Sequence, residues 1–364
     1  MKVVCTKRNL TQGLAVSSRV ISVGNTLPVL NNILLKTEGG RLKLSSTNLE
    51  VAINTWVGGK IEEEGELTIP ARLINDYVSN LIAEKVTLST QNQTLFIETE
   101  RVKTHIKGLS SEEFPLIPQL EQKIYTKISG EALKQAINQV AFTSSFSETQ
   151  PEISGVLFQF NDKTLTIAAT DRYRLAEAKT PLSIGATPPR TIIIPTRAVN
   201  ELGRVLGEGE MEVYLAEGQV LFRSPDLELI SRLIEGQYPD YKQIIPQHFI
   251  TEAMVERGTL IQSLKAASLF ASDNNNVEIE IIPSGKTLVI RSQSAQTGDS
   301  EIRLDAAITG QKNTVIFNHH YILECLNNLD DDQVMIKVID GSSPAVIVPM
   351  GRENYLYIVM PIKI

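Results

Sequence analysis

The sequence predicts an α+β protein made of three tandem copies of one domain. Two observations carry that prediction: a strand-to-helix unit occurs three times, and other landmarks recur around it in one order. Thr191 to Leu206 is the clearest copy. An apolar extended run at Ile192, Ile193 and Ile194 meets Pro195, and Ala198, Val199, Leu202, Val205 and Leu206 then follow helical spacing. The same grammar runs from Leu67 to Leu81 and from Val315 to Leu329, with Pro70, Pro195 and Asn318 in one slot and Leu81, Leu206 and Leu329 in another. Alternating strands open upstream at Leu42, Leu165 and Leu288, and the copies close with FPLIP (114–118), YPDYKQIIP (238–246) and VMPIKI (359–364). The interval of about 125 residues is far longer than a solenoid repeat, so each copy is a whole domain, placed at 1–119, 120–247 and 248–364.

Taken in order, the first copy reads as a strand at KVVCT, a helix from Arg8 to Ser22 and a turn-rich joint around Pro28. Strands follow at Ile33 to Thr37, Arg41 to Ser46 and Glu50 to Val57. After the helix that follows Pro70, the alternating segments Val86 to Thr90, Thr94 to Glu98 and Lys103 to Gly108 predict an antiparallel meander. The second copy repeats this plan from about Ile124, with a helix over Gly130 to Phe142 and strands over Gly155 to Phe160, Thr164 to Thr170 and Arg174 to Thr180. Its later strands are Met211 to Ala216, Gln219 to Ser224 and Leu227 to Leu233. The third has helices over Arg257 to Phe270 and Tyr321 to Leu329. Its strands are Val277 to Ile282, Lys286 to Ser292, Val334 to Val338, Ala345 to Pro349 and Tyr355 to Met360. Leu182 to Thr191 is an internal loop, and Pro118 to Lys123 and Pro246 to Glu252 are linkers.

Each copy is thus expected as a sheet with two helices on one face. Three such copies joined edge to edge would leave a free sheet edge at each end, and free edges invite pairing. Because the two ends differ, one chain's first copy could meet another's third head to tail and close into a ring.

Composition narrows the function. Hydrophobic content of 42% and charged content of 21% are ordinary for a globular protein. A net charge of −7 argues against a simple basic nucleic-acid binder but leaves room for a basic lining on an acidic body. Cys5 and Cys325 have no motif spacing, so neither a disulfide framework nor a zinc site is expected. The N-terminal segment lacks a signal-peptide core and no run reaches a membrane span, which points to the cytoplasm.

At ATDRYRLA (169–176), TLPVLNNILL (26–35), IPTRAVNEL, GQYPDYKQIIP and the terminal VMPIKI, the sequence resembles the bacterial sliding clamps, the beta subunits of DNA polymerase III, over essentially its whole length. The resemblance implies a head-to-tail homodimer encircling duplex DNA, with helices lining the hole and antiparallel sheets outside. Its partners would be the polymerase catalytic subunit, the clamp loader and other replication and repair proteins carrying clamp-binding peptides. It implies no cofactor, metal or active site.

On the predicted helices Lys7, Arg8, Arg19, Arg72, Lys134, Arg197, Arg204, Arg257 and Lys265 outnumber Asp76, Glu131, Glu201, Glu256 and Glu324. Such a layer attracts phosphates without reading bases, which suits sliding. The resemblance further assigns a partner-peptide pocket to Ile153, Thr170, Arg172, Tyr173, Arg174, Leu175, Pro239, Ile244, Ile358, Val359, Met360, Pro361 and Ile362, with Asn318, Tyr321 and Ser342 on its far side. Leu175, Ile244, Ile358 and Met360 would form a cleft for aliphatic and aromatic anchors; plain core packing is the competing reading for Leu175, Ile244 and Ile358. Two positions depart from the family pattern: Arg172 stands where a small residue is usual and Tyr173 where a His is common. For the dimer contact, Thr104 and Ile106 would face Leu269 and Phe270 of a second molecule.

Two rival readings follow from the residues. Asp171 with Arg172 and Arg174 has the look of a catalytic cluster and His319 with His320 of metal ligands. However, adjacent side chains on a helix diverge by about 100°, and neither a third ligand nor a phosphate loop or nucleophile elbow accompanies them. A repeat scaffold that binds proteins but never encircles DNA is the second rival.

Overall fold

The computed structural model describes residues 1–21, 27–118, 123–145, 149–271 and 274–363. The middle of the expected first linker, the end of the expected first helix at Ser22, Thr26 and the terminal Ile364 therefore lie outside the described residues. Every third of the chain runs through the same series: strand, helix, four or five strands, helix, three strands. Among the described residues the α-helices are α1 (Lys7–Ser17), α2 (Ala71–Asn80), α3 (Gly130–Val140), α4 (Thr196–Val205), α5 (Arg257–Ser268) and α6 (His319–Asn327).

Local chemistry explains where they start. Thr6 caps α1 through its hydroxyl, which accepts from the Asn9 N–H at 3.2 Å, and the Glu256 carboxylate caps α5 at the N–H groups of Gly258 and Thr259. The slot shared by Pro70, Pro195 and Asn318 is the residue just before α2, α4 and α6: a proline presets the turn into the first two, and the Asn318 side chain accepts from His320 N–H at 3.0 Å at the third. α6 consequently begins two residues earlier than the apolar spacing predicts, because a cap sets the start of a helix and periodicity marks only its buried face.

By tertiary contact the chain forms two compact units, Met1–Glu131 with Ser183–Gly185 and Glu201–Leu233, and Ala132–Leu182 with Ala186–Asn200 and Ile234–Ile364. The first unit holds two antiparallel sheets. One has the order Gly59–Glu63, Lys2–Thr6, Lys85–Gln91, Thr94–Glu98, Lys103–Lys107. The other runs Thr126–Ser129, Glu210–Ala216, Gln219–Ser224, Leu227–Arg232, Val51–Val57, Arg41–Thr47, Asn32–Glu38, Glu66–Pro70. The second unit repeats the arrangement. Its nine-stranded sheet runs Arg190–Pro195, Gly155–Phe160, Thr164–Thr170, Arg174–Pro181, Tyr355–Val359, Ala345–Pro349, Gln333–Val338, Thr251–Glu256, Ala307–Gly310. A four-stranded sheet runs Gly298–Asp305, Thr287–Ser294, Asn276–Ile282, Asn313–Asn318.

This corrects the expectation of one sheet per copy. Each copy divides its strands between two sheets, and the sheets run on across the copy borders, where Val51–Val57 pairs Leu227–Arg232 and Arg174–Pro181 pairs Tyr355–Val359. An outer strand carries unpaired N–H and C=O groups until the following copy supplies a partner. The expected second linker likewise ends inside the strand Thr251–Glu256.

In the first unit α1 and α2 pack on each other and bury Leu10, Leu14, Ile74 and Val78 against Val3, Leu44, Val86 and Leu88; full burial of one such side chain stabilises by about 1.5–3 kcal/mol. Gly13 lets α1 lie close to its sheet, since a Cβ there would stand 2.6 Å from Val57 Cγ2. In the second unit α5 and α6 pack through Leu260, Leu264, Ile322 and Leu326. Cys5 and Cys325 are both buried free thiols, and burial pushes them up to about 11 and about 12, so neither is a reactive thiolate.

Candidate functional site

The candidate pocket residues all lie in the second unit, on the turn after Thr170, a strand pair, the chain's end, two 3-10 turns (Pro151–Ser154 and Tyr241–Ile244), the start of α6 and the loops that hold Pro239 and Ser342. The turn is built by two side chains. The Thr170 hydroxyl donates to Arg174 O at 2.7 Å and accepts from Arg172 N–H at 3.1 Å, while Asp171 Oδ1 accepts from the N–H groups of Tyr173 and Arg174 at 3.0 Å each. Asp171 is thus a turn builder, and the catalytic reading of the cluster loses its carboxylate to the backbone. Closing the turn holds Arg172 at φ 78°, a left-handed conformation that favours glycine, and its exposed guanidinium donates to Gln150 Oε1 at 2.6 Å.

Arg174 points the other way, into the protein. Its side chain is 9% exposed, with Nε 2.9 Å from Asp171 Oδ2, Nη1 on Glu324 Oε2 and Nη2 donating to Phe142 O at 3.2 Å. The guanidinium lies 4.5 Å from the Tyr321 ring centroid, and the Tyr321 ring is also stacked with that of Tyr173, the centroids 6.5 Å apart. Burial works against the charge, but the Tyr357 hydroxyl, Glu324 and Asp171 more than offset it, so the guanidinium is held firmly protonated. Burial and Asp171 together push the Tyr321 hydroxyl up.

Beyond the turn, Leu175 pairs Ile358 across the strands, and both sit in a cluster with Leu157, Ala168, Ile193, Tyr238, Tyr241 and Val346. At 1% exposure each, Leu175 and Ile358 pack the core of this unit, as the bland reading expected, and can serve a ligand only as the floor beneath it. Ile153, Val359 and Pro361 are buried too. The surface is formed instead by Tyr173, 62% exposed, Ile244, 47% exposed, Pro239, and the half-buried Met360 and Ile362. Backbone bonds lay the chain's end along this surface: Met360 N–H donates to Tyr173 O and Ile362 N–H to Ile316 O, both at 2.8 Å.

Three polar candidates are engaged locally. Thr170 closes the turn, Asn318 caps α6, and Ser342 gives its N–H and hydroxyl to Asp340 Oδ1; with Ser343 these bonds hold the Asp340 carboxyl down at about 2. The sequence reading missed Gln150, Phe142, Glu324 and Tyr241. Only Glu324 had a signal, standing three residues after Tyr321 on one helix face. Tyr241 donates to the buried Glu177 carboxylate, a contact between distant segments that no local pattern announces.

The basic candidates are spread over the helices. In α1 to α6 eight Lys and Arg face four Asp and Glu, on a chain whose net charge is −7. Arg8, Arg72, Lys134, Arg197, Arg204 and Lys265 are exposed. Lys7 Nζ donates to Ser79 O at 2.9 Å, Arg72 stands 3.8 Å from Asp76, and Arg204 pairs Glu201. Arg19 falls in the short 3-10 turn Ser18–Val20 rather than in α1 and reaches Glu201 at 4.0 Å. Arg257 differs from the rest: it is half-buried, donates to Asp331 O at 2.7 Å and Leu326 O at 3.0 Å, and so ties the end of α6 instead of facing outward.

Of the expected dimer residues, Leu269 is 75% exposed, while Thr104 and Phe270 are half-buried. Ile106 is 6% exposed and belongs to the first unit's own core, because strand alternation turns it inward between Lys103, His105 and Lys107. The His319 and His320 rings lie 4.1 Å apart, closer than helical divergence implied, since His319 opens the helix. Among the described residues no group of three His, Cys, Asp or Glu could hold a metal. No helix of the described residues is long and apolar enough to cross a membrane.

Comparison with known proteins bears directly on these features. Family models for the N-terminal, central and C-terminal domains of the DNA polymerase III beta subunit match residues 1–118, 127–240 and 242–363 in turn. The beta sliding clamp of Synechococcus elongatus is 31% identical over 374 residues, with 100% of both chains covered. Among solved structures, the DNA polymerase sliding clamp of Bacillus subtilis superposes with a TM-score of 0.94 at 26% identity, and the DNA polymerase III beta subunit of Thermotoga maritima with 0.93 at 26%. Each match covers 100% of this chain and 99% of the other. With three successive domain models matched and a full-length relative at that identity, the chain belongs to the family of DNA polymerase III beta subunits, the beta sliding clamps.

Proposed function

We propose that two copies of this chain close head to tail into a ring around duplex DNA and tether the replicative polymerase to its template, with domains at 1–119, 120–247 and 248–364. The role is that of an accessory processivity factor, and its chemistry is binding alone. The observation that carries the ring is a pairing rule used twice and then left open. Leu227–Arg232 and Tyr355–Val359 are the third strand after the second helix of their copies, and each pairs the third strand after the first helix of its neighbour. Two strands with the same places in the repeat, Lys103–Lys107 and Gly298–Asp305, end their sheets without a neighbour on that side. Their outward charges are complementary: Lys103 and Lys107 on one, and Asp299, Glu301 and Asp305 beside Arg303 on the other. A second molecule offers each edge its missing strand. Leu269 and Phe270 supply apolar cover at that junction, with Thr104 beside them.

Lys7, Arg8, Arg72, Lys134, Arg197, Arg204 and Lys265 then act as sequence-independent phosphate contacts, with Arg19 on its short turn. Exposed ion pairs such as Arg72 with Asp76 are worth little and exchange readily for phosphate. Arg257 stands apart from that set, because its Nε and Nη1 donate to the carbonyls of Asp331 and Leu326. Partner peptides, from the polymerase, the loader and other replication proteins, dock on the Tyr173, Pro239, Ile244 and Met360 surface above Leu175 and Ile358, with Arg172 and Tyr321 at its rim. Met suits a site that accepts several ligands.

Topology tests the ring. Protein assembled by a clamp loader on a circular duplex should co-elute with the circle and leave after a single restriction cut. Retention on the linear product would favour a scaffold that binds without encircling.

A further inference from the structure

We propose that the first unit carries a second peptide-docking groove, the internal repeat of the pocket assigned above, and that it takes a segment with one bulky apolar side chain next to an acidic one. The inference rests on that assignment for the class of ligand, while its own geometry is independent.

The backbone of the two places is the same. Thr47 Oγ1 donates to Val51 O and accepts from Leu49 N–H, both at 3.0 Å, and Asn48 Oδ1 accepts from the N–H groups of Glu50 and Val51 at 3.1 and 2.8 Å. These are the bonds that Thr170 and Asp171 make, and Leu49 is held at φ 75° as Arg172 is at 78°. Across the strands, Arg232 N–H donates to Glu50 O at 2.9 Å, as Met360 does to Tyr173, and Ala52 pairs Ile230 as Leu175 pairs Ile358. Overhead, Pro115, Leu116 and Ile117 stand where the other linker has Pro239, Ile244 and Ile245.

The side chains differ in one direction. Leu34 pairs Ser45 and Thr68, whereas its counterpart Leu157 pairs Ala168 and Ile193. With Ala52 in the place of Leu175, two of the three positions have lost volume and two have gained a hydroxyl. In the second unit Tyr241 is buried in the cluster at this place; the first unit has a cavity of about 710 Å3 and an adjoining one of about 260 Å3 that share the wall from Pro115 to Pro118. Tyr214, Leu221 and Ile230 keep the floor apolar and buried. At the mouth Leu116 is 98% and Leu49 49% exposed, two large apolar side chains that an occupant would cover.

Charge selects the occupant. The three carboxylates of the larger cavity are each in an ion pair, Glu66 with Lys36, Glu38 with Lys43 and Glu228 with Arg223. Lys123, and Arg232 at the smaller cavity, have no carboxylate within ion-pair distance among the described residues, although Glu50 lines the smaller cavity beside Arg232. An acidic residue flanking the apolar anchor meets those two cations.

The probe is an acetylated, amidated hexapeptide in which a Leu-Phe pair lies between two aspartates, titrated calorimetrically into the full chain. Two peptides should bind per chain, one after Ala52→Leu, which restores the repeat's larger residue and narrows the smaller cavity, and one after removal of residues 360–364. A single site lost with residues 360–364 and untouched by Ala52→Leu would overturn the second groove and leave the first standing. A single site lost in Ala52→Leu but kept by the shortened chain would support the second and sink the assignment of the first; no binding at all would overturn both. Arg232→Glu, on the surface and harmless to packing, should weaken the Ala52-dependent site about tenfold, the worth of one charge-assisted contact. Undiminished affinity in that variant would overturn the acidic partner.

Discussion

Arg172 and Arg174 are two residues apart and do opposite things. Arg174 is a cation buried among Asp171, Glu324 and the Tyr321 ring, so its removal strands two carboxylates and uncovers an aromatic face. Arg174→Ala should cost about 3 kcal/mol in chemical denaturation, the lower end for breaking a buried pair, because Glu324 remains half exposed to water. Arg172 holds a left-handed conformation for the price of one exposed hydrogen bond to Gln150. Relief of that strain outweighs the extra freedom glycine gives the unfolded chain, so Arg172→Gly should stabilise by roughly 0.5 kcal/mol. A midpoint unchanged or lowered would mean that the turn tolerates arginine without strain.

At the scale of elements, the chain's last residues are pinned by backbone bonds at Met360 and Ile362, while the sheet beneath is already complete with Tyr355–Val359. Removing residues 360–364 should therefore leave the fold intact and abolish binding of polymerase and loader. Partner binding that survives the truncation, with circular dichroism unchanged, would remove the tail from the site. Most strands were legible because short apolar runs between turns are buried: Thr94–Glu98, Gly155–Phe160, Gln219–Ser224 and Ala345–Pro349 coincide with the expected strands. Gly59–Glu63 and Ala307–Gly310 were not, since both are exposed edge strands with no buried face to leave a pattern.

For the whole molecule, the open edges at Lys103–Lys107 and Gly298–Asp305 predict a sedimentation mass of about 80 kDa, twice the 40.2 kDa of the chain. Lys103→Glu with Lys107→Glu sets like charges against Asp299, Glu301 and Asp305, which costs several kcal/mol, and should return the mass to that of one chain. A double variant that stays dimeric would place the contact elsewhere. Direct binding to linear DNA should weaken as salt rises, as expected when phosphate contacts carry the affinity.

The sequence by itself determined the threefold repeat, the slot that precedes each second helix and the excess of cations on the helices, because each is a local pattern of residue type along the chain. The resemblance supplied the pocket residues, but which of them are floor, rim or turn depended on contacts between segments far apart: Leu175 on Ile358, Arg174 on Glu324, Tyr241 on Glu177. Only the tertiary structure decided that each copy divides its strands between two sheets, that Arg257 and Ile106 face inward, and that Thr47–Ala52 repeats the turn at Thr170–Leu175 bond for bond. Strand pairing and burial are properties of the partner a residue finds in space, and one-dimensional periodicity records which side is buried without recording against what.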